Sequence, residues 1–280
     1  MTEVMVRVGD TELCAETFGD RSAPSILLIA GASSPMDWWD EEFCLRLAEG
    51  GRFVLRYDHR DTGRSTCSPP GEPGYSGTDL CDDVVHLIDT LADGRAHLAG
   101  LSMGGGIAQY VAIEHPKRVA TLTLLSTSPG YADDLPPMAD SLKATYADPV
   151  PEPDWTDREA VAKYLVELHR PLAGTHFDET SALGIARRVA ERSIDPRSAK
   201  NHWLVGGDGE DLRPRLGEIV APTLVIHGTE DRMFPAAHGQ ALAREIPDAE
   251  LLLLERVGHE VPPRPTWDRV IPAILRHTER

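Results

Sequence analysis

Ser102 stands between two glycines in Gly100-Leu101-Ser102-Met103-Gly104, a G-x-S-x-G spacing. A serine hydroxyl is a weak nucleophile until a base takes its proton and an acid orients that base. Two later stretches offer such groups. Gly228-Thr229-Glu230-Asp231 brings two carboxylates, and Gly258-His259 brings an imidazole just after the last apolar run. Asp231 is the expected acid, with Glu230 its nearest rival, although an aspartate there also suits a turn or a helix cap. His259 is the expected base among 11 histidines. His227 closes an apolar run and reads as packing or as a support behind the site, whereas His86, His115 and His277 read as surface or helix positions. No His-Glu-x-x-His run or other ligand spacing occurs, so neither a metal nor a cofactor is expected.

Acyl transfer also requires two N–H donors for the oxyanion. The Met103 amide, next after the serine, is one candidate. The other lies in Ala30-Gly31-Ala32-Ser33-Ser34, where Ala32 is preferred and Gly31 comes second. Ser33, Met138, Trp155, His202, Trp203 and Phe234 are candidate substrate contacts, each of which also suits ordinary packing.

Elements of alternating kind must hold these residues. Residues 4–8 and 13–18 read as a hairpin turning at Gly9-Asp10. The runs 25–29, 53–57, 96–100 and 122–125 read as strands covered on both faces, with helices over 79–91 and 104–114. Alternation of this type predicts a mostly parallel α/β sheet flanked by helices. After residue 128 the rhythm changes to Pro- and Asp-rich helical stretches, including 158–170 and 181–193. It resumes with strands at 223–227 and 250–254 and a helix over 267–277. The expected organisation is therefore a core over 1–128, a mainly helical cap over 129–215 and a second core segment over 216–280. Ser102 then occupies a sharp strand-to-helix turn, and Asp231 and His259 follow late strands.

A net charge of −17 would repel phosphates and argues against a nucleic-acid partner. Cys14, Cys44, Cys67 and Cys81 form no C-x-x-C pair, which reads as reduced thiols in a cytoplasmic protein. No apolar run approaches the roughly 20 residues needed to span a bilayer, so no membrane partner is expected. The first residues lack the pattern of a secretory leader.

These motifs together resemble the α/β-hydrolase superfamily over nearly the whole chain outside the insertion. A closer likeness lies in Arg56-Tyr57-Asp58-His59-Arg60-Asp61-Thr62-Gly63-Arg64-Ser65 combined with the Ser102 segment. This pair, with Phe18-Gly19-Asp20 and the Trp38-Trp39 run, is similar to the anthracycline (aclacinomycin-type) methylesterases. The likeness implies hydrolysis of a methyl ester on a polyketide-derived small molecule. The insertion, which would select the substrate, shows no such match. The charged loop 58–65 reads as a tight turn held by Asp–Arg pairs rather than as a substrate clamp.

Three other readings suit the same residues, two of them enzymatic. Ser102-Met103-Gly104-Gly105-Gly106 also resembles cofactor-free haloperoxidases, or perhydrolases, and carbon–carbon bond hydrolases share the fold and triad. A non-catalytic small-molecule binding protein on the same scaffold is the alternative of another class.

Overall fold

Short apolar runs rich in Leu, Ile and Val pair into a single sheet in the computed structural model, which describes residues 2–130, 133–205 and 211–280. Its eight strands are β1 (Thr2–Val8), β2 (Thr11–Phe18), β3 (Ser25–Ile29), β4 (Phe53–Tyr57), β5 (Ala96–Leu101), β6 (Val119–Leu125), β7 (Thr223–Gly228) and β8 (Glu250–Leu254). Their order is β1-β2-β4-β3-β5-β6-β7-β8. The hairpin turns over two residues, with Val8 opposite Thr11, and β2 runs antiparallel to β4. Every pairing from β4 to β8 is parallel. β4, β5 and β7 are buried along their whole length, as expected for strands covered on both faces.

Helices supply both covers. On one face α2 (Gly77–Leu91), α3 (Met103–Glu114) and α8 (Ala237–Glu245) bury Leu80, Val84, Leu87, Ile107, Val111 and Leu242 against Leu27, Leu55, Leu98 and Leu124. On the other, α1 (Glu41–Glu49) and α9 (Trp267–His277) bury Phe43, Leu47, Val270 and Ile274 against Leu28, Val54 and Ile226. β6 begins three residues before the run 122–125, because the turn Pro116–Arg118 feeds it directly. Ser76 caps α2 in a reciprocal box with Asp79, so that helix begins before residue 79. α1 and α8 were not evident from periodicity. His277 ends α9 as a helix position but is buried, and its Nε2 donates to the Leu122 carbonyl at 3.1 Å.

Between β6 and β7 the described residues contain no strand. They form α4 (Asp140–Ala147), α5 (Arg158–His169), α6 (Glu179–Arg192) and the short α7 (His202–Val205). α5 and α6 pack through Val161, Ala162, Val166, Ala182, Ala186 and Ala190, and Asp157 and Asp178 cap their N-termini. Three anchors fix these helices to the rest of the fold. Arg192, ending α6, pairs with Asp37 at 2.8 Å and with the buried Asp58. Asn201 Nδ2 donates to Asp61 Oδ2 at 2.8 Å, and Ser198 Oγ donates to the Ser68 carbonyl at 2.7 Å. The stretch after α5 lies against the β7 and β8 loops, with the His259 amide donating to the Leu172 carbonyl at 2.7 Å.

The loop 58–65 is held from within the protein. Arg60 makes a two-pronged contact with Asp83, and Asp58 receives the amides of Met36 and Arg64, each at 2.9 Å, besides Arg192. Among the described residues no helix is long and apolar enough to cross a membrane.

Candidate active site

The β5–α3 turn forces Ser102 into an uncommon backbone conformation, φ 52° and ψ −117°. Such conformations cost about 1–3 kcal/mol and persist only where their surroundings impose them. Here the Ser102 amide donates to the Leu125 carbonyl at 3.0 Å, and its carbonyl accepts from Thr127 Oγ1 at 2.8 Å. A Cβ at Gly100 would collide with the Gly104 carbonyl, and one at Gly104 with the carbonyls of Ile29 and Ala30. Both glycines are thus required by close backbone approach, which seats the start of α3 against the end of β3.

Ser102 Oγ lies 2.8 Å from His259 Nε2, and His259 Nδ1 lies 2.9 Å from Asp231 Oδ2. The carboxylate can only accept, so Nδ1 of the neutral ring carries the proton and Nε2 presents a lone pair to the serine hydroxyl. Asp231 is buried, and its Oδ1 accepts the amides of Met233 at 2.9 Å and Phe234 at 2.8 Å. Glu230 turns the other way and accepts from the Thr175 amide at 2.7 Å and its hydroxyl at 2.9 Å. The His227 ring is buried beside this acid. Its Nε2 donates to the Phe234 carbonyl at 2.8 Å, and burial lowers its basicity.

The Met103 and Ala32 amides have no hydrogen-bond partner among the described residues, and both residues line the cavity beside Ser102. Gly31 abuts the serine: a Cβ built on it would lie 3.5 Å from Ser102 Cβ. Two histidines absent from the expected catalytic set hold this loop. His59 Nε2 donates to the Ala30 carbonyl at 3.0 Å while its Nδ1 accepts from Tyr57 Oη at 3.1 Å. His202 Nδ1 accepts the Ser33 amide at 2.8 Å and its Nε2 donates to the Arg60 carbonyl at 2.8 Å. The Ser33 amide can only donate, so the His202 ring must be neutral to accept it. Burial pushes His59 down to about 3 and lowers His202 as well.

A cavity of about 2180 Å³ opens over Ser102 and His259, lined mainly by apolar side chains. Ser33, Met138, Trp155, His202, Trp203 and Phe234 all line it. Phe234 stands edge-on to the His259 ring, 5.4 Å between centroids. Ser33 and His202 have their polar atoms engaged within the protein, since Ser33 Oγ donates to the Ala199 carbonyl at 2.7 Å and accepts from Trp203 Nε1 at 3.1 Å. Trp155 packs edge-on against Tyr164, and its Nε1 donates to Glu152. Their contribution to the cavity is therefore shape. Trp38 and His169 also line it, and neither was among the expected substrate contacts. Leu165 and His169 lie one helical turn apart on α5, the spacing that places both on one side of the helix.

An open α/β sheet with a strained serine turn and a Ser–His–Asp line beside its strand ends defines a class of hydrolases. Residues 24–262 match the family model of the alpha/beta hydrolase fold, and the chain belongs to that family. It is 30% identical to a rhodomycin D methylesterase of Streptomyces sp. strain C5, across 98% of this chain and 97% of that protein. It is 32% identical to a 2-hydroxy-6-oxononadienedioate/2-hydroxy-6-oxononatrienedioate hydrolase of Paraburkholderia phymatum, across 92% of this chain and 85% of that one. The crystal structure of the enol-lactonase of Burkholderia xenovorans LB400 superposes with a TM-score of 0.75 at 26% identity. That match covers 99% of this chain and all of the other.

Proposed function

We propose that this protein is a serine carboxylic ester hydrolase acting through Ser102, His259 and Asp231. The observation that carries the reading is the continuous hydrogen-bonded line from Asp231 through His259 to Ser102, open to a large apolar cavity. Ser102 Oγ attacks the ester carbonyl as His259 Nε2 takes its proton, and Asp231 holds the imidazolium that forms. The Met103 and Ala32 amides receive the oxyanion, each donor worth about 2.7–4 kcal/mol in the transition state. His259 returns the proton to the departing alcohol, leaving an acyl-enzyme. Water activated by the same histidine then releases the acid.

The substrate we favour is a methyl ester of a bulky, polyketide-like small molecule. The rhodomycin D methylesterase relative supports the leaving group. The cavity, well above the roughly 300–1,000 Å³ usual for small-molecule sites, supports a large acid portion. Residues 129–215 act in this reading as a cap between core segments 1–128 and 216–280, and their lining side chains select the substrate. Four unpaired cysteines fit a cytoplasmic setting.

The test is intact mass after exposure to a fluorophosphonate, for wild type and Ser102→Ala together, followed by methanol release from a panel of bulky methyl esters. One adduct on the wild type alone, with methanol release, is expected. An adduct without methanol release would shift the reading to carbon–carbon bond hydrolysis or perhydrolysis. Absence of any adduct on the wild type would favour a binding protein.

A further inference from the structure

His169, the last residue of α5, lines the cavity and lies face to face with Trp38, ring centroids 3.7 Å apart and planes 21° from parallel. Its Nδ1 lies 2.8 Å from the Leu165 carbonyl, an oxygen that can only accept. The proton of the neutral ring therefore sits on Nδ1, and Nε2 is left as a lone pair. That lone pair has no partner among the described residues. The other histidines lining the cavity differ: no hydrogen bond among the described residues fixes the His176 ring, whereas His202 and His259 have both nitrogens engaged. So does His238, whose Nδ1 meets Ser128 Oγ at 3.0 Å and whose Nε2 donates to the Pro136 carbonyl at 2.9 Å.

Leu165, one helical turn before His169 on α5, lines the cavity with it, as do Leu168 and Leu172. Burial pushes the imidazole down to about 4, so at neutral pH the ring is uncharged and Nε2 only accepts. An isolated, orientationally fixed acceptor in an apolar wall favours a ligand that is itself apolar except for one donor.

We infer that His169 Nε2 is a substrate-recognition acceptor that receives a hydroxyl carried on an otherwise apolar part of the substrate. The identity of that ligand as an ester rests on the hydrolase reading, whereas the acceptor itself does not. The Trp38 stack and the Leu165 bond fix the ring, so little rotamer freedom is lost when the hydroxyl arrives. A substrate lacking the hydroxyl leaves Nε2 desolvated and unpaired, which is the penalty that produces discrimination.

The experiment measures calorimetric Kd values for methyl 6-hydroxy-2-naphthoate and methyl 2-naphthoate, which differ by one hydroxyl. Proteins are Ser102→Ala, to prevent turnover, and Ser102→Ala with His169→Phe, which keeps a flat ring against Trp38 but removes the acceptor. Ser102→Ala should bind the hydroxylated ester about three- to tenfold more tightly, as one net hydrogen bond provides. His169→Phe should abolish the preference and leave the affinity for the plain ester nearly unchanged. If the phenylalanine variant does not melt cooperatively, His169→Leu makes the same comparison. Equal affinities in Ser102→Ala, no affinity for either ester, or a preference that survives loss of the imidazole would overturn the inference. Wild-type turnover of methyl 2-naphthoate, measured in parallel, tests the esterase reading separately: binding preference without turnover leaves the acceptor in place and removes only the reaction.

Discussion

Arg192→Met removes the cation that joins α6 to the serine-bearing half of the fold. The Asp58 side chain is fully buried and that of Asp37 is 5% exposed, so both lose a charged partner without gaining water. Breaking a buried pair from one side typically costs about 3–5 kcal/mol. Asp58 retains the amides of Met36 and Arg64, each at 2.9 Å, which places the expected cost near about 3 kcal/mol. An unfolding entropy of about 2.1 cal/mol/K per residue amounts to about 0.6 kcal/mol/K over 280 residues. Tm should therefore fall by about 5 °C at pH 8.

The loss should also depend on pH. Burial holds the Asp58 carboxyl above the usual carboxylate range, against the opposing pull of Arg192, and removing Arg192 raises it further. A carboxyl raised on folding costs nothing below its unfolded pKa; the cost grows as pH rises from that value to the folded one and is complete above it. The Tm deficit should accordingly shrink between pH 8 and pH 5, and Asp58→Asn should recover part of it at pH 8. Differential scanning calorimetry of wild type, Arg192→Met and the double variant Arg192→Met with Asp58→Asn measures both effects. A fall of less than 1 °C at pH 8, or an equal fall at both pH values, would refute the placement of an uncompensated carboxylate beneath α6.

Asp231→Asn should keep the fold and lower kcat by about 10⁴, because the amide favours the wrong imidazole tautomer; turnover near wild type would return the role to another carboxylate such as Glu230. His202→Phe frees the Ser33 amide and the Arg60 carbonyl. It should lower kcat about tenfold with a smaller change in KM, a fraction of the 10²–10³ lost with a whole oxyanion donor. An unchanged kcat in a cooperatively folded variant would separate the Ser33 loop from catalysis. His202→Asn, which retains an acceptor near Nδ1, should recover part of the loss.

The elements that follow local rules were legible from the chain. Continuous apolar runs marked the buried parallel strands, and glycines at 100 and 104 marked a turn where two backbones touch. The order of Ser102, Asp231 and His259 along late strand ends followed from the same pattern. Helices as short as α1 and α8 escaped because two turns hold too few apolar positions to establish a period. The choice between Glu230 and Asp231 was not local either: adjacent residues in one turn face different neighbours, and only packing decides which meets His259.

Sequence by itself thus determined the sheet, the serine turn and a short set of candidate groups at strand ends, because each element depends on residues a few positions apart. Tertiary structure alone decided the Arg192–Asp58 anchor across 134 positions, the hold of His59 and His202 on the Ala30–Ser33 loop, and the free acceptor of His169. Those depend on which side chains meet after the chain has closed on itself, and helical or strand periodicity carries no record of the partner.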